Sequence, residues 1–547
     1  MDYVALIIFL ALYYLRPQEW FSAFSALRPV QLLSFMAVWA MFQTNKLKPR
    51  DLVRTPLDWL IVCYFGWTLI SGGQVLRTLG LIEAVLLFYF VAVRSLDSVP
   101  RQKSFLGWWC LFICVIAVVA IASEYGFDPF GSYDITQGPM KGRLVLNISI
   151  FNNPNGLGHS VIPAVPLLYY LLFWRRTFAR AGLLLLAIPL YCIYLTLSKG
   201  AFLCGFATVL ATLAFGRSRA VQLLLVVVAV GFGYGALYTL PRMNELKNAK
   251  TDPAIQGRVA AFTYGMQLMQ THLFGIGIDH FQEMFSRYGP TERIRHIQII
   301  PEHEAKGNEG TIHVVPLQRL VTYRERHFTK ATHSSYNQNG AELGYVGLFL
   351  FVSILYCCIR TLLLVKSKDD DEERIRRALF ALVVAYTISS WMVDFCYRPT
   401  FFMMVAAISA FHRHLLRKNS GVQEAIVESD TLAQRPWLRR LRPEQAPAIE
   451  LPGLAAPVCA VSTVPTVSPG GGHPALDIAV AAPAQLIPAP GAAGSGRVLP
   501  WHKSNVSIQD MLLKKFIWTR LGIIDFVLMF VLTVCAVLYW QHLIKIM

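Results

Sequence analysis

The chain has little charge. Asp, Glu, Lys and Arg make up 15% of its 547 residues against 55% apolar ones, and its mean hydropathy is +0.46. That scarcity excludes a water-facing globule; long apolar runs take its place, the pattern of a polytopic membrane protein. Cysteine is missing where a disulfide framework or a zinc site would need it. Cys63, Cys110, Cys114, Cys192, Cys204, Cys357, Cys358 and Cys535 lie in apolar runs, Cys396 at the end of one, and Cys459 in a polar tail. The long hydrophilic loop has none, and no pair has zinc-ligand spacing in a polar context. The PEHE stretch with Glu302, His303 and Glu304 lacks paired-His spacing and reads as polar loop surface, so neither metal nor cofactor is expected. The first run, Tyr3 to Leu15, lacks a basic leader and reads as a retained helix.

What is present is a repeated alternation of apolar runs and short basic loops. Runs near Tyr3 to Leu15, Leu27 to Phe42, Pro56 to Ile70, Leu76 to Val93, Phe105 to Ala122, Pro154 to Trp174, Ala181 to Leu197, Gly200 to Phe215 and Val221 to Leu240 fill residues 1–240. Asn339 to Val365, Ala378 to Cys396 and Thr400 to Leu415 fill 339–416, so the sequence predicts an all-α body of about twelve transmembrane helices. The net charge of +17 resides mostly in every second loop (Lys46 to Arg54, Arg94 to Lys103, Arg175 to Arg180, Arg217 to Arg219, Lys366 to Arg377). Basic loops on one side report topology and not a nucleic-acid partner. These loops are expected to be cytoplasmic, which puts Ser123 to Asn153 and Pro241 to Gln338 on the periplasm-like face. Asp369 to Glu373 reads as a solvated turn and helix start. Residues 417–520, rich in Ala, Pro and Gly, read as a disordered cytoplasmic linker. A thirteenth, C-terminal transmembrane helix follows in 521–547; so long a linker leaves it free of the body and available to a membrane partner.

The chemistry is expected around Ala331 to Gly347, ATHSSYNQNGAELGYVG, where a His, an Asn-rich turn and a lone Glu sit at a return into the membrane. In the loop before it, Pro253 opens a helix with apolar residues at Val259, Phe262, Met266 and Met269, an amphipathic segment suited to a membrane surface, with Arg258 in its first turns. HLFGIGIDHF follows, where Gly275 and Gly277 permit a tight turn.

FNNPNGLG at Phe151 to Gly158, LTLSKGAF at Leu195 to Phe202, GRVAAFTYGMQLMQTHLFGIGIDHF at Gly257 to Phe281 and THSSYNQNGAELGYVGLF at Thr332 to Phe349 stand in this order around one long loop. Together they resemble the O-antigen ligase and polymerase superfamily, over roughly Phe151 to Phe411. The resemblance implies a multi-pass enzyme of the bacterial inner membrane with a GT-C-like glycosyltransferase body. Its active site would face the periplasm and move glycan from undecaprenyl diphosphate to a lipid, glycan or protein acceptor.

A sugar diphosphate already carries a good leaving group, so such a reaction needs cations for the diphosphate and a base for the acceptor hydroxyl. Arg258 offers a planar fork matched to phosphate oxygens. Lys199 stands where the family usually has Arg, and a Lys cannot make the same bidentate contact. His333 titrates near neutrality when unperturbed and is the expected base. Asn337, one helical turn on, and Glu342 would orient the His or the sugar, Glu342 fitting a helix cap equally well. Asn152, Asn153 and Asn155 fit a glycan contact as well as a polar turn. Glu83 reads as an internal partner of Arg77. A transporter or flippase is the rival class, since twelve helices with both ends inside also suit one. Against it, the charges gather at one surface and not at the midplane, and the two halves show no internal similarity.

Overall fold

The computed structural model of the protein describes residues 2–20, 29–43, 52–137, 142–174, 184–239, 253–300, 303–306, 312–315, 318–326, 329–364, 369–434 and 521–546. Pro301, Glu302, Cys459 and the expected linker from residue 435 onward lie outside them. One compact unit comprises Met1–Ser420 with Lys515–Met547; the other, Gly421–Lys514, is described only over the end of one helix.

The body is helical. Along the chain run α1 (Asp2–Leu15), α2 (Pro29–Gln43), α3 (Pro56–Ile70), α4 (Val75–Ser95), α5 (Val99–Glu124), α6 (Pro154–Val161), α7 (Ala164–Leu168), α8 (Ala187–Leu195), α9 (Lys199–Ala214) and α10 (Arg219–Thr239). Then come α11 (Pro253–Thr271), α12 (Phe281–Tyr288), α13 (Ser335–Leu364), α14 (Asp370–Ser389), α15 (Pro399–Gln434) and α16 (Ile523–Ile546). The long hydrophilic segment, expected as a loop with one helix, also contains two antiparallel ribbons. Strand β1 (Glu292–Ile300) pairs with β4 (Gln318–Arg326), and β2 (His303–Lys306) with β3 (Ile312–Val315).

Among the described residues, five helices are long and apolar enough to cross a bilayer: Val75–Ser95, Val99–Glu124, Pro154–Phe173, Ser335–Leu364 and Ile523–Lys545. The expected twelve-helix body is not reproduced at that length. Asp2–Leu15, Pro29–Gln43, Pro56–Ile70, Leu184–Leu195, Lys199–Ala214 and Arg219–Gly231 are apolar but shorter. At 1.5 Å per residue a 16-residue helix reaches about 24 Å, less than a hydrocarbon core of about 30 Å.

Breaks in the helices have local causes. Between Pro154 and Trp174, Pro163 and Pro166 interrupt the ladder and the last turn, Tyr169–Phe173, widens to π geometry. Two carbonyls there, Tyr170 O and Trp174 O, accept from the buried Arg374 guanidinium at 2.9 and 3.0 Å, which satisfies acceptors that the end of the helix leaves open. The acidic run does start a helix: Asp369 caps α14 by accepting from the Asp371 and Glu372 amides. It is not simply solvated, because Glu372 is buried against His414 and Lys418 and Glu373 chelates Arg376 and Arg377.

The break that builds the site end is at Gly344, where φ +71 and ψ −168 split α13. The groups on either side of the break are satisfied by the LFGIG turn and by α3. Tyr345 N donates to Leu273 O (3.1 Å), Gly277 N to Glu342 O (2.8 Å), Trp67 Nε1 to Leu343 O (2.8 Å) and Ser71 Oγ to Glu342 O (3.2 Å). A Cβ on Gly344 would stand 2.2 Å from Leu273 O, in a backbone region that only glycine occupies readily. Gly344→Ala is therefore expected to lower stability by about 2 kcal/mol or more, read as a fall in the unfolding midpoint in detergent. Gly107→Ala, in α5 with nothing within 4 Å of its added Cβ, is the control and should not lower it.

Helix α11 turns its apolar face onto the protein. Its apolar residues Phe262, Met266 and Met269 are buried in the main core, packed toward α13 and α16.

Candidate functional site

The Asn-rich turn and the start of α9 form one polar knot. Asn153 caps α6, its Oδ1 accepting from the Asn155 amide at 2.9 Å. The Asn155 side-chain oxygen accepts from Ser198 Oγ (2.6 Å) and from Arg143 (3.3 Å). Ser198 in turn caps α9, which makes Lys199 the first residue of that helix. Arg143 also donates to Thr196 O at 3.2 Å, so it is held beside the α9 N-terminus. Asn152 is exposed at the end of the turn Ser149–Phe151.

Gly200 is the contact point between this knot and the segment after α14. A Cβ there would lie 3.2 Å from His159 Nε2 and 3.3 Å from Met392 Cβ. His159 is buried on α6, bonded through Nδ1 to Ser389 Oγ at 2.9 Å; its Nε2 has no hydrogen-bond partner. The stretch 389–395 is laced to the residues that follow His333. Ser335 N donates to Ser390 O (2.7 Å), Ser335 Oγ to Val393 O (2.7 Å), and Phe395 N to Ser335 Oγ (2.8 Å).

His333 sits at the junction itself, just before α13, half-buried and with φ +53, a left-handed conformation uncommon for a side chain of its size. Burial is the largest influence on its imidazole; the positive Arg258 and Lys330 act in the same direction and the Asp394 carboxylate opposes them, so its pKa is pushed down to about 4. The ring is thus neutral at physiological pH. Lys330 crosses α11 at Gly257, where an added Cβ would stand 2.9 Å from its Nζ, so the Gly of the Gly257-Arg258 pair admits a second cation next to the first.

The remaining expected residues are occupied by the protein. Asn337 is buried with its Nδ2 donating to Ala261 O (3.3 Å) and its amide filling the space over Gly265. Because α13 starts at Ser335, Asn337 does not stand a helical turn from His333 on one helix. Glu342 is buried and accepts from Phe281 N at 3.2 Å, which caps α12, so the helix it caps is not its own. Both residues fix the elements that carry Arg258 and the Gly-rich turn. Arg77 donates to His280 Nε2 (2.9 Å) and Gln74 (3.3 Å), while Glu83 is exposed on α4 and does not pair with it.

Lys199, Arg258 and His333, which lie far apart in sequence, thus border one locus. Asp394, His159, Lys330 and Arg143 join them without having been singled out from sequence. His159 directly follows FNNPNGLG and Arg143 precedes it by eight residues, so the motif's flank carried the one available signal.

In comparisons with known proteins, no curated sequence matches the chain. A family model described as O-antigen ligase does match, over residues 181–352. That span includes Lys199, Arg258, His333, Asn337 and Glu342 and leaves out Asn153, Asn155 and α16. Over this span the chain is similar to the O-antigen ligase family, which supports the resemblance drawn from its motifs.

Proposed function

We propose that this locus transfers a glycan from a lipid diphosphate carrier, of the undecaprenyl type, to an acceptor hydroxyl. The acceptor O–H gives its proton to the His333 imidazole and its oxygen bonds to the anomeric carbon. The bond from that carbon to the diphosphate oxygen breaks, and the electron pair leaves on the lipid diphosphate. Arg258, Lys199, Lys330 and Arg143 supply positive charge for the leaving diphosphate, and the proton passes from His333 to water. Asn337 and Glu342 act as positioning residues for α11 and α12, and Asn153 and Asn155 for the start of α9. The observation that carries this reading is a neutral imidazole beside two cations and a carboxylate, inside the O-antigen ligase domain.

The class of acceptor is open to a direct comparison. Lipopolysaccharide, secreted polysaccharide and glycoprotein profiles of a strain lacking the protein should show loss in one class alone; loss in none refutes the transfer reading. We further propose an inner-membrane location with the locus on the periplasmic face. A cysteine at Ala305 is expected to react with an impermeant maleimide in intact cells, and one at Asp370 is expected to stay unlabelled above the background of the unmodified chain. The reverse pattern would overturn the sidedness.

A further inference from the structure

The helix expected to stand apart from the body does not. α16 belongs to the same compact unit as the body and packs against α13 and α11. One stripe of it is buried, Asp525, Met529, Thr533 and Trp540, while Ile523, Ile524, Phe530 and Leu538 on its other faces are exposed. Those spacings of four and seven residues place the buried set on one side of the helix.

Each end of the stripe makes a specific contact. At the far end of α13 the buried Asp525 carboxylate pairs with Arg360 and accepts from Tyr356 OH at 3.0 Å. A carboxylate in an apolar helix is costly unless it meets such a partner, so this pair sets the register of α16 on α13. Fifteen residues on, about 22 Å along the axis, Trp540 reaches the site end. Its ring stacks on Trp391 (centroids 4.8 Å, 23°) and meets Phe262 edge-on (4.4 Å, 82°), and Tyr539 also packs edge-on against Trp391 (5.3 Å).

Phe262 stands one helical turn from Arg258 on α11. Trp391 lies between Ser390, whose carbonyl bonds Ser335, and Asp394, which faces His333. Trp540 therefore touches both elements that flank the cation and the base. It is 4% exposed, with its indole N–H unpartnered, so ring contact and not hydrogen bonding holds it there.

We propose that α16 is a positioning element of the transfer site: Trp540 clamps α11 against the segment 390–394 and so holds Arg258 toward the donor diphosphate. This rests on the transfer reading above and adds to it a component outside the O-antigen ligase domain.

The test uses the full-length chain in detergent with a polyprenyl diphosphate glycan as donor. Trp540→Ala is expected to raise donor KM by about tenfold or more. It should also move the acid limb of kcat/KM upward, because Arg258 withdraws from His333. Trp540→Phe, which keeps a ring against Phe262 and Trp391, should restore both to near wild-type values; a merely stabilising helix would move neither. Trp540→Ala with wild-type donor KM and pH profile overturns the clamp. Independently of activity and of any substitution in the helix, a protease site inserted at Ala460 allows the folded chain to be cut. The fragment carrying α16 should stay with the body through gel filtration, and its release with transfer undiminished would also overturn the clamp. Failure of the transfer reading shows elsewhere, in a wild-type chain that keeps the cut fragment bound but does not turn over the donor.

Discussion

His333→Ala is expected to lower turnover by about two to four orders of magnitude, the usual contribution of a general base, while donor affinity stays within about threefold. The pH profile identifies the residue further. Burial, reinforced by Arg258 and Lys330 and opposed by Asp394, holds the imidazole pKa down at about 4 against an ordinary value of 6.5. The charged form is the disfavoured one in the fold, so the proton-accepting form persists as pH falls and is lost only through the lowered pKa. The acid limb of kcat/KM should accordingly lie near pH 4. Asp394→Asn removes the one influence that raises the pKa and should move the limb lower still; Lys330→Ala should move it up. A wild-type limb near 6.5, unmoved by Asp394→Asn, would take the role of base away from His333.

Arg258→Ala should act on binding first. Removing one side of a desolvated, charge-assisted contact costs about 2–5 kcal/mol, or about 30-fold to several thousand-fold in donor affinity. The same substitution removes a cation facing His333, so the acid limb should shift upward in whatever turnover remains. Lys199→Arg provides the contrast. It restores the fork usual in the family at the first residue of α9, where Arg143 already stands close by, and donor affinity should hold or improve. Donor titration with the three proteins side by side separates these outcomes. Unchanged affinity in Arg258→Ala would move the diphosphate away from this locus.

How far the sequence led can be judged from particular residues. Lys199, Arg258 and His333 were singled out because their motifs follow one another in a set order, and the fold brings the three to one locus. The tight turn at Gly275 and Gly277 was also legible, and both take positive φ, +88 and +94. Asp394 was not, because WMVDFCYRP lies beyond any motif and is brought to His333 by long-range bonds such as those of Ser335 to Val393 and Phe395. Glu342 and Asn337 look like site residues in a linear string, since a carboxylate and an amide at a membrane boundary suggest a substrate. In the fold they meet Phe281 N and Ala261 O, partners 61 and 76 residues away in sequence, which no local pattern encodes.

The helix count shows a different kind of limit. Apolar length fixes that a run is buried or lipid-facing, but not whether it is one continuous span. Pro163 and Pro166 break one run into α6, α7 and a π turn, and Gly344 splits α13 without interrupting its hydrophobicity. The docking of α16 was hidden for a similar reason. A single Asp525 among apolar residues is the one sequence mark of a helix with a partner, and Arg360 lies 165 positions before it.

The most direct measurement follows both products of the reaction at once. Purified full-length chain is mixed with a polyprenyl diphosphate glycan and an acceptor carrying a free hydroxyl, in the presence of EDTA, and released polyprenyl diphosphate is quantified against glycan transferred. The two should appear in equal amounts with the wild-type chain, at a rate lowered about a hundredfold or more by His333→Ala with donor binding retained. A folded wild-type chain that binds the donor yet releases no polyprenyl diphosphate, or a His333→Ala chain that transfers at the wild-type rate, would contradict glycosyl transfer at this site.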